Sequence, residues 1–215
     1  MAPRAVVEAV EALARRDRVV AGLLERHGPP AIGRPAPRGA RFAALARSIV
    51  YQQLAGTAAA SIHRRVVDEL GGAVTPEAIL ATPAEELRAC GLSGAKEAAL
   101  RDLAAKVATG DVPLDRLARL DDDTVVAALT RVRGVGEWTA HMFLLFTLGR
   151  LDVWPTGDFG VRAGYAAAWG LDVPPPARAL AREGDRFRPH RSLVAWYCWR
   201  AADEAKLARR VAAGR

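Results

Sequence analysis

Apolar residues recur along this chain at helical spacing. Phe42, Leu45, Ala46, Ile49 and Val50 fall on one face of a helix, as do Ile62, Val66, Val67 and Leu70 after a break at Gly56-Thr57. No convincing stretch alternates with period two, so helices are expected throughout. An amphipathic run over residues 6–24, interrupted by Glu8, Glu11 and the cluster Arg15-Arg16-Asp17-Arg18, predicts one N-terminal helix. Start signals follow. Thr75-Pro76-Glu77 and Thr82-Pro83, with Glu85 three residues after Thr82, each offer a hydroxyl at the N-cap and proline at the first helical position, the second completing a capping box. Ser93 opens a helix over 94–107, Asp122 or Asp123 opens another over about 125–132, and Pro189 starts a final helix reaching about Ala212.

Two breaks divide the pattern. Residues 28–39 are rich in glycine and proline and read as a linker, and a second break falls at 149–157. Between them, apolar stretches at 125–132 and 138–148 are separated by Gly134-Val135-Gly136. These glycines predict a tight turn between two helices, needed for positive φ or for close backbone approach. A lone Gly-x-Gly between helices is most often only a short αα turn. Here, though, the second helix would begin with free N–H groups and the positive end of its dipole exposed, which suits a phosphate without sequence preference. About twenty residues on, Pro155-Thr156-Gly157-Asp158 precedes the apolar Phe159, Val161 and Tyr165, which makes Asp158 a helix N-cap and, in the same place, an isolated carboxylate.

Charge changes the picture moderately. The 31 basic residues outnumber 24 acidic ones for a net charge of +7, a balance that favours polyanionic partners. Only Lys96, Lys106 and Lys206 are lysines, and abundant arginine and alanine also follow from a GC-rich genome. With 51% apolar residues in 215, one or two packed cores are affordable. The N-terminus lacks the pattern of a secretory signal and no apolar run reaches membrane-spanning length, so a cytoplasmic location is expected. Cys90 and Cys198, far apart and beside apolar neighbours, are expected as buried free thiols, and two cysteines are too few for an iron–sulfur cluster. Asp121-Asp122-Asp123 matches a helix start rather than a metal site, and His27, His63, His141 and His190 lack zinc-ligand spacing.

Taken with Ile49-Val50-Tyr51-Gln52-Gln53-Leu54, Gly91-Leu92-Ser93 and Lys96, and Arg188-Pro189-His190-Arg191-Ser192, the hairpin and Asp158 resemble the helix-hairpin-helix DNA glycosylases that carry a Gly/Pro-rich segment and a catalytic aspartate. The resemblance spans about 42–200 and is strongest to the 3-methyladenine DNA glycosylase II branch. It implies an all-α fold of two helical domains flanking a DNA-binding cleft. One domain is 41–150, with the helix-hairpin-helix at about 125–148; the other joins 1–40 to 151–215 and carries the catalytic Asp158. The resemblance also assigns Gln53 or Leu54, with Gln52 as a third candidate, as the wedge filling the DNA stack, and Gly134, Val135, Gly136 and Thr139 as the phosphate grip. Trp138, Met142 and His190 match positions of the base pocket, but Met142 and His190 stand where aromatics are usual. Tyr51, Trp154, Trp196 and Tyr197 can compensate, although Trp196 and Tyr197 equally fit a core stripe with Leu193 and Arg200. No cofactor is required, and the resemblance implies a place for Na⁺ or K⁺ on the backbone carbonyls of Thr130, Val132 and Val135. The implied partner is double-stranded DNA with alkylated bases, bound by a monomer, with no membrane involved.

The chemistry is consistent with these residue types. A base inside a duplex must be flipped out before its N-glycosidic bond is reached. The departing base leaves oxocarbenium-like charge on the sugar, which a desolvated carboxylate stabilises. An alkylated purine is already cationic, leaves without a general acid and stacks on aromatic faces. In bifunctional relatives a lysine stands just after the hairpin, where this chain has Trp138, and no lysine lies between Lys106 and Lys206. The expectation is therefore a monofunctional DNA glycosylase of base excision repair that removes alkylated purines such as 3-methyladenine and 7-methylguanine. Its rivals are a non-catalytic helix-hairpin-helix DNA-binding protein and a glycosylase for other damaged bases. Asp158 favours an enzyme, since mere binding has no use for a carboxylate near phosphates.

Overall fold

The computed structural model describes residues 2–54 and 56–214. Among them every regular element is helical. The chain divides into two compact units, Met1–Pro35 with Leu148–Arg215, and Ala36–Thr147. Both crossings lie a few residues before the bounds that the resemblance implies, 40/41 and 150/151, and the first falls inside the linker read from composition at 28–39. The Ala36 N–H donates to the Thr147 carbonyl at 2.7 Å, so the two ends of the second unit are joined by a backbone bond.

The first unit begins with α1 (Arg4–Arg16) and α2 (Arg18–His27). A single helix was expected here, and the structure corrects this. Asp17 sits at φ −138°, and its carboxylate accepts the Val19 and Val20 N–H groups at 2.9 and 3.2 Å, capping a second helix. Val6, Ala9, Val10 and Leu13 of α1 and Val20 and Leu23 of α2 are buried, each large side chain stabilising the fold by about 1.5–3 kcal/mol.

Among the described residues, the second unit carries eight α-helices. After a 3₁₀ turn at Arg38–Ala40 come α3 (Arg41–Tyr51), α4 (Gly56–Glu69), α5 (Pro76–Ala81), α6 (Ala84–Ala89) and α7 (Gly94–Ala108). Then follow α8 (Leu114–Leu117), α9 (Asp122–Leu129), α10 (Glu137–Met142) and a π-helical turn, Phe143–Thr147. Leu45 and Ile49 of α3, Ile79 of α5, Leu87 of α6, Leu100 and Leu103 of α7, Leu117 of α8 and Leu129 of α9 are fully buried. Thr75 and Ser93 cap as expected, accepting from Ala78 and Lys96 N–H groups. Thr82 does not: its hydroxyl donates back to the Ala78 carbonyl at 2.8 Å, and Pro83 occupies the N-cap of α6. Asp121, rather than Asp122 or Asp123, caps α9 through the Thr124 N–H.

The chain then returns to the first unit through α11 (Phe159–Trp169), α12 (Ala177–Gly184), a 3₁₀ turn at Asp185–Phe187 and α13 (Arg191–Ala212). The last helix starts at Arg191, two residues later than Pro189, with His190 at the N-cap position and no side-chain capping bond from it. Helices α11 and α13 touch backbone to side-chain position: a Cβ on Gly164 would lie 1.7 Å from the Cys198 carbonyl oxygen. Trp196 and Tyr197 meet edge to face, and the fully buried Tyr197 donates its hydroxyl to the Gly28 carbonyl at 2.9 Å. Cys90 and Cys198 are buried free thiols, and burial with the nearby Asp158 carboxylate pushes the Cys198 thiol up. No helix is long and apolar enough to cross a membrane among the described residues.

Candidate DNA-binding and catalytic sites

In the second unit the hairpin turn joins α9 to α10. The two glycines serve different needs. Gly134 has φ +73°, the left-handed region that favours glycine. Gly136 has an ordinary extended backbone, and a Cβ there would meet nothing within 4 Å. Its lack of a side chain thus keeps the entrance to α10 clear for a close backbone neighbour. The turn is braced from below by Asp102 of α7, whose carboxylate accepts the Arg133 N–H at 2.7 Å and pairs with Lys106. Burial alone would raise the Asp102 carboxyl, but the Arg133 amide and the Lys106 ammonium outweigh it and hold the group below its usual range.

The Gln52-Gln53-Leu54 corner follows α3 and lies against this hairpin. The Gln52 amide donates to the Gly134 carbonyl at 3.0 Å and to Thr139 Oγ1 at 3.1 Å. Of the three wedge candidates, Gln52 is therefore engaged in holding the corner to the turn, and Thr139, named for the phosphate grip, keeps its buried hydroxyl on Gln52. Gln53 has φ +57°, a conformation that residues other than glycine adopt at a cost, and Leu54 is 38% exposed. Lys96 reaches the Val50 carbonyl at 2.7 Å, tying the end of α3 to α7, and burial pushes its ammonium down.

A groove of about 700 Å³ runs beside the corner. Tyr51, Gln53, Leu54, Trp138, Met142 and Phe146 line it. Trp138 and Phe146 are about half exposed, at 48% and 49%, and the Arg47 guanidinium stacks 4.5 Å from the centre of the Tyr51 ring. Sequence reasoning missed Arg47 and Phe146. The latter stands eight residues after Trp138 at a helical spacing, but in the π-helical turn its neighbours Phe143, Leu144, Leu145 and Thr147 are buried, so only the fold tells its exposed ring from core.

Asp158 belongs to the first unit. It caps α11, accepting the Val161 N–H on Oδ1 at 2.8 Å, and the same oxygen accepts Trp199 Nε1 of α13 at 3.1 Å. The approach to it is pinned. The fully buried Ser192 hydroxyl donates to the Arg150 carbonyl at 2.8 Å and accepts the Val153 N–H at 2.9 Å. Arg191 forks onto the Asp152 carboxylate at 2.8 and 2.9 Å. Trp154 donates from its indole to the Leu180 carbonyl at 2.8 Å. Arg191 and Ser192 thus hold the segment that presents Asp158. His190 is half-buried; burial pushes its imidazole down, Asp152 opposing and Arg16 assisting, so it is neutral near pH 7.

Known proteins share this arrangement of helices and motifs. The profile of the HhH-GPD superfamily of base excision DNA repair proteins matches residues 46–189. The DNA-3-methyladenine glycosylase 1 of Schizosaccharomyces pombe is 34% identical over 161 residues, covering 74% of this chain and 71% of that protein. Among solved structures, the S. pombe 3-methyladenine DNA glycosylase in complex with abasic DNA superposes with a TM-score of 0.79 at 30% identity, over 89% of this chain and 95% of that one. The DNA-3-methyladenine glycosidase of Bacillus halodurans gives a TM-score of 0.79 at 32% identity, over 90% and 88%. By the extent of the matched profile and the identity to these proteins, this chain belongs to the HhH-GPD superfamily of base excision DNA repair proteins.

Proposed function

We propose that this chain is a monofunctional DNA glycosylase that flips damaged nucleotides out of double-stranded DNA and hydrolytically removes alkylated purines, 3-methyladenine and 7-methylguanine among them. The observation that carries this reading is Asp158, a carboxylate fixed by a helix N–H and an indole N–H at the end of a braced segment. Similarity to proteins named as 3-methyladenine glycosylases supports the substrate class.

In this reading the glycosidic bonding pair leaves with the cationic purine, which departs neutral. Positive charge develops on the sugar, and the preorganised Asp158 carboxylate stabilises it without a reorganisation cost. Water adds to the anomeric carbon and gives up its proton to the carboxylate or to solvent. No lysine stands just after the hairpin to act as an amine nucleophile: Trp138 holds that position, Lys96 is bound to the Val50 carbonyl and Lys106 is paired with Asp102. Gln53 and Leu54, projecting from a strained corner, fill the stack vacated by the flipped base, and backbone groups of Gly134, Val135 and Gly136 meet a phosphate. The base pocket draws on Tyr51, Trp138 and Met142, which line the groove of the second unit. Backbone carbonyls of Thr130, Val132 and Val135 would hold Na⁺ or K⁺, which would supply positive charge for a DNA phosphate. The Val132 oxygen accepts the Val135 N–H at 3.0 Å and keeps a second lone pair for such an ion.

Asp158→Asn tests the reading. It keeps the size and the capping oxygen but loses the charge, so release of 3-methyladenine from alkylated DNA should fall by roughly two or more orders of magnitude, about 3 kcal/mol, with lesion-DNA affinity retained. A folded variant excising at the parental rate overturns the assignment. Chromatography of the released bases decides between 3-methyladenine and 7-methylguanine. Borohydride should trap no covalent adduct; a trapped adduct overturns the hydrolytic mechanism alone.

A further inference from the structure

Helix α11 carries glycine at positions 160 and 164, one turn apart and on the same face as its neighbour α13. Gly164 lets the α13 backbone come into contact at Cys198, where a Cβ would lie 1.7 Å from the carbonyl oxygen. Next along α13 is Trp199. Its indole fits against Gly160, where a Cβ would sit 3.0 Å from Trp199 Cδ1 and 3.0 Å from Asp158 Oδ1. The missing methyl groups therefore bring the indole N–H to within 3.1 Å of the carboxylate. Val161 N–H reaches the same oxygen from the helix backbone, so the two donors fix Oδ1 from two elements and set the rotation of the carboxylate plane.

We infer that Trp199 is a positioning residue for base excision: its indole N–H, admitted by Gly160, holds Asp158 in the rotamer that presents its charge to the sugar. This rests on the catalytic reading of Asp158 given above. The indole is a donor from a second helix to the oxygen that the cap already holds, and a charge held in one place stabilises a developing cation far better than one averaged over rotamers. A hydrogen bond to a charged acceptor is also among the stronger kinds available to a side chain.

The test is a set of single-turnover excision rates on alkylated DNA with the full chain. Trp199→Phe keeps an aromatic ring and removes the donor. Its excision rate should fall about tenfold or more while affinity for abasic-site DNA and the melting temperature stay close to parental values. The double variant with Asp158→Asn should be no slower than Asp158→Asn alone, because a residue that works through Asp158 has nothing left to position. Gly160→Ala should slow excision comparably with the indole intact, by wedging the pair apart. A Trp199→Phe rate within twofold of the parent, or losses that multiply in the double variant, overturns the inference. So does a folded Gly160→Ala of parental rate. If Asp158→Asn itself excises normally, it is the catalytic reading that fails, and that outcome is distinct from the other three.

Discussion

Glycines separate folding from binding most cleanly at the scale of single residues. Gly164 faces backbone: a methyl group there would lie 1.7 Å from one Cys198 atom and 2.4 Å from another, and no side chain can rotate away to relieve it. Gly164→Ala should cost about 3 kcal/mol, the upper part of the overpacking range, and lower the melting temperature by about 6 °C or more for a chain of this size. Gly136 is the opposite case, since its backbone suits any residue and its Cβ direction is open. Gly136→Val should melt with the parent yet bind undamaged duplexes of every sequence more weakly, as measured by fluorescence anisotropy. Unimpaired binding by that variant removes the hairpin from the DNA interface.

Helices and their connections show what local sequence can and cannot reveal. The hairpin rests on Asp102, whose carboxyl lies below the ordinary aspartate value of 3.8 because the Arg133 amide and Lys106 outweigh burial. A depressed value means that its contribution is complete above about pH 3.8, the unfolded value, and disappears as pH falls through the folded one. The stability gap between the parent and Asp102→Asn should therefore be constant from about pH 5 upward and close as the solution is made more acidic than about pH 4, as read by urea titration. A gap that persists at the acid end rules out the ionised carboxylate as the brace. Caps at Thr75, Ser93 and Asp158 were legible because each bond spans three residues. Thr82 misled because one hydroxyl can serve the end of α5 or the start of α6, and it serves the former. The break at Asp17 was hidden because burial continues at helical spacing on both sides of it. At the site, Asp158 announced itself by its own helix start. Gln52 on Gly134 and Trp199 on Asp158 join residues 82 and 41 positions apart, a separation at which spacing carries no information.

For the whole molecule, the excess of positive charge sets the response to salt. A chain of net charge +7 that grips phosphates in the way proposed above should lose affinity for duplex DNA steeply as salt rises, with a log–log slope of about 0.9 per phosphate neutralised. A flat dependence would argue against a backbone grip. The nested order of the two units has its own outcome during synthesis. Unit 2 can close as soon as Thr147 is made, since Ala36 bonds to it directly. The apolar face of α2 waits for α13, which at ordinary ribosomal speeds takes on the order of ten seconds. A message cut short after the hairpin but before α13 therefore encodes the phosphate grip without Trp199, Ser192 or the Tyr197 tether to Gly28. On the proposed roles of the hairpin and Asp158, such a fragment would occupy DNA without repairing it, so in the cell a truncating lesion in the gene is expected to be worse than its loss.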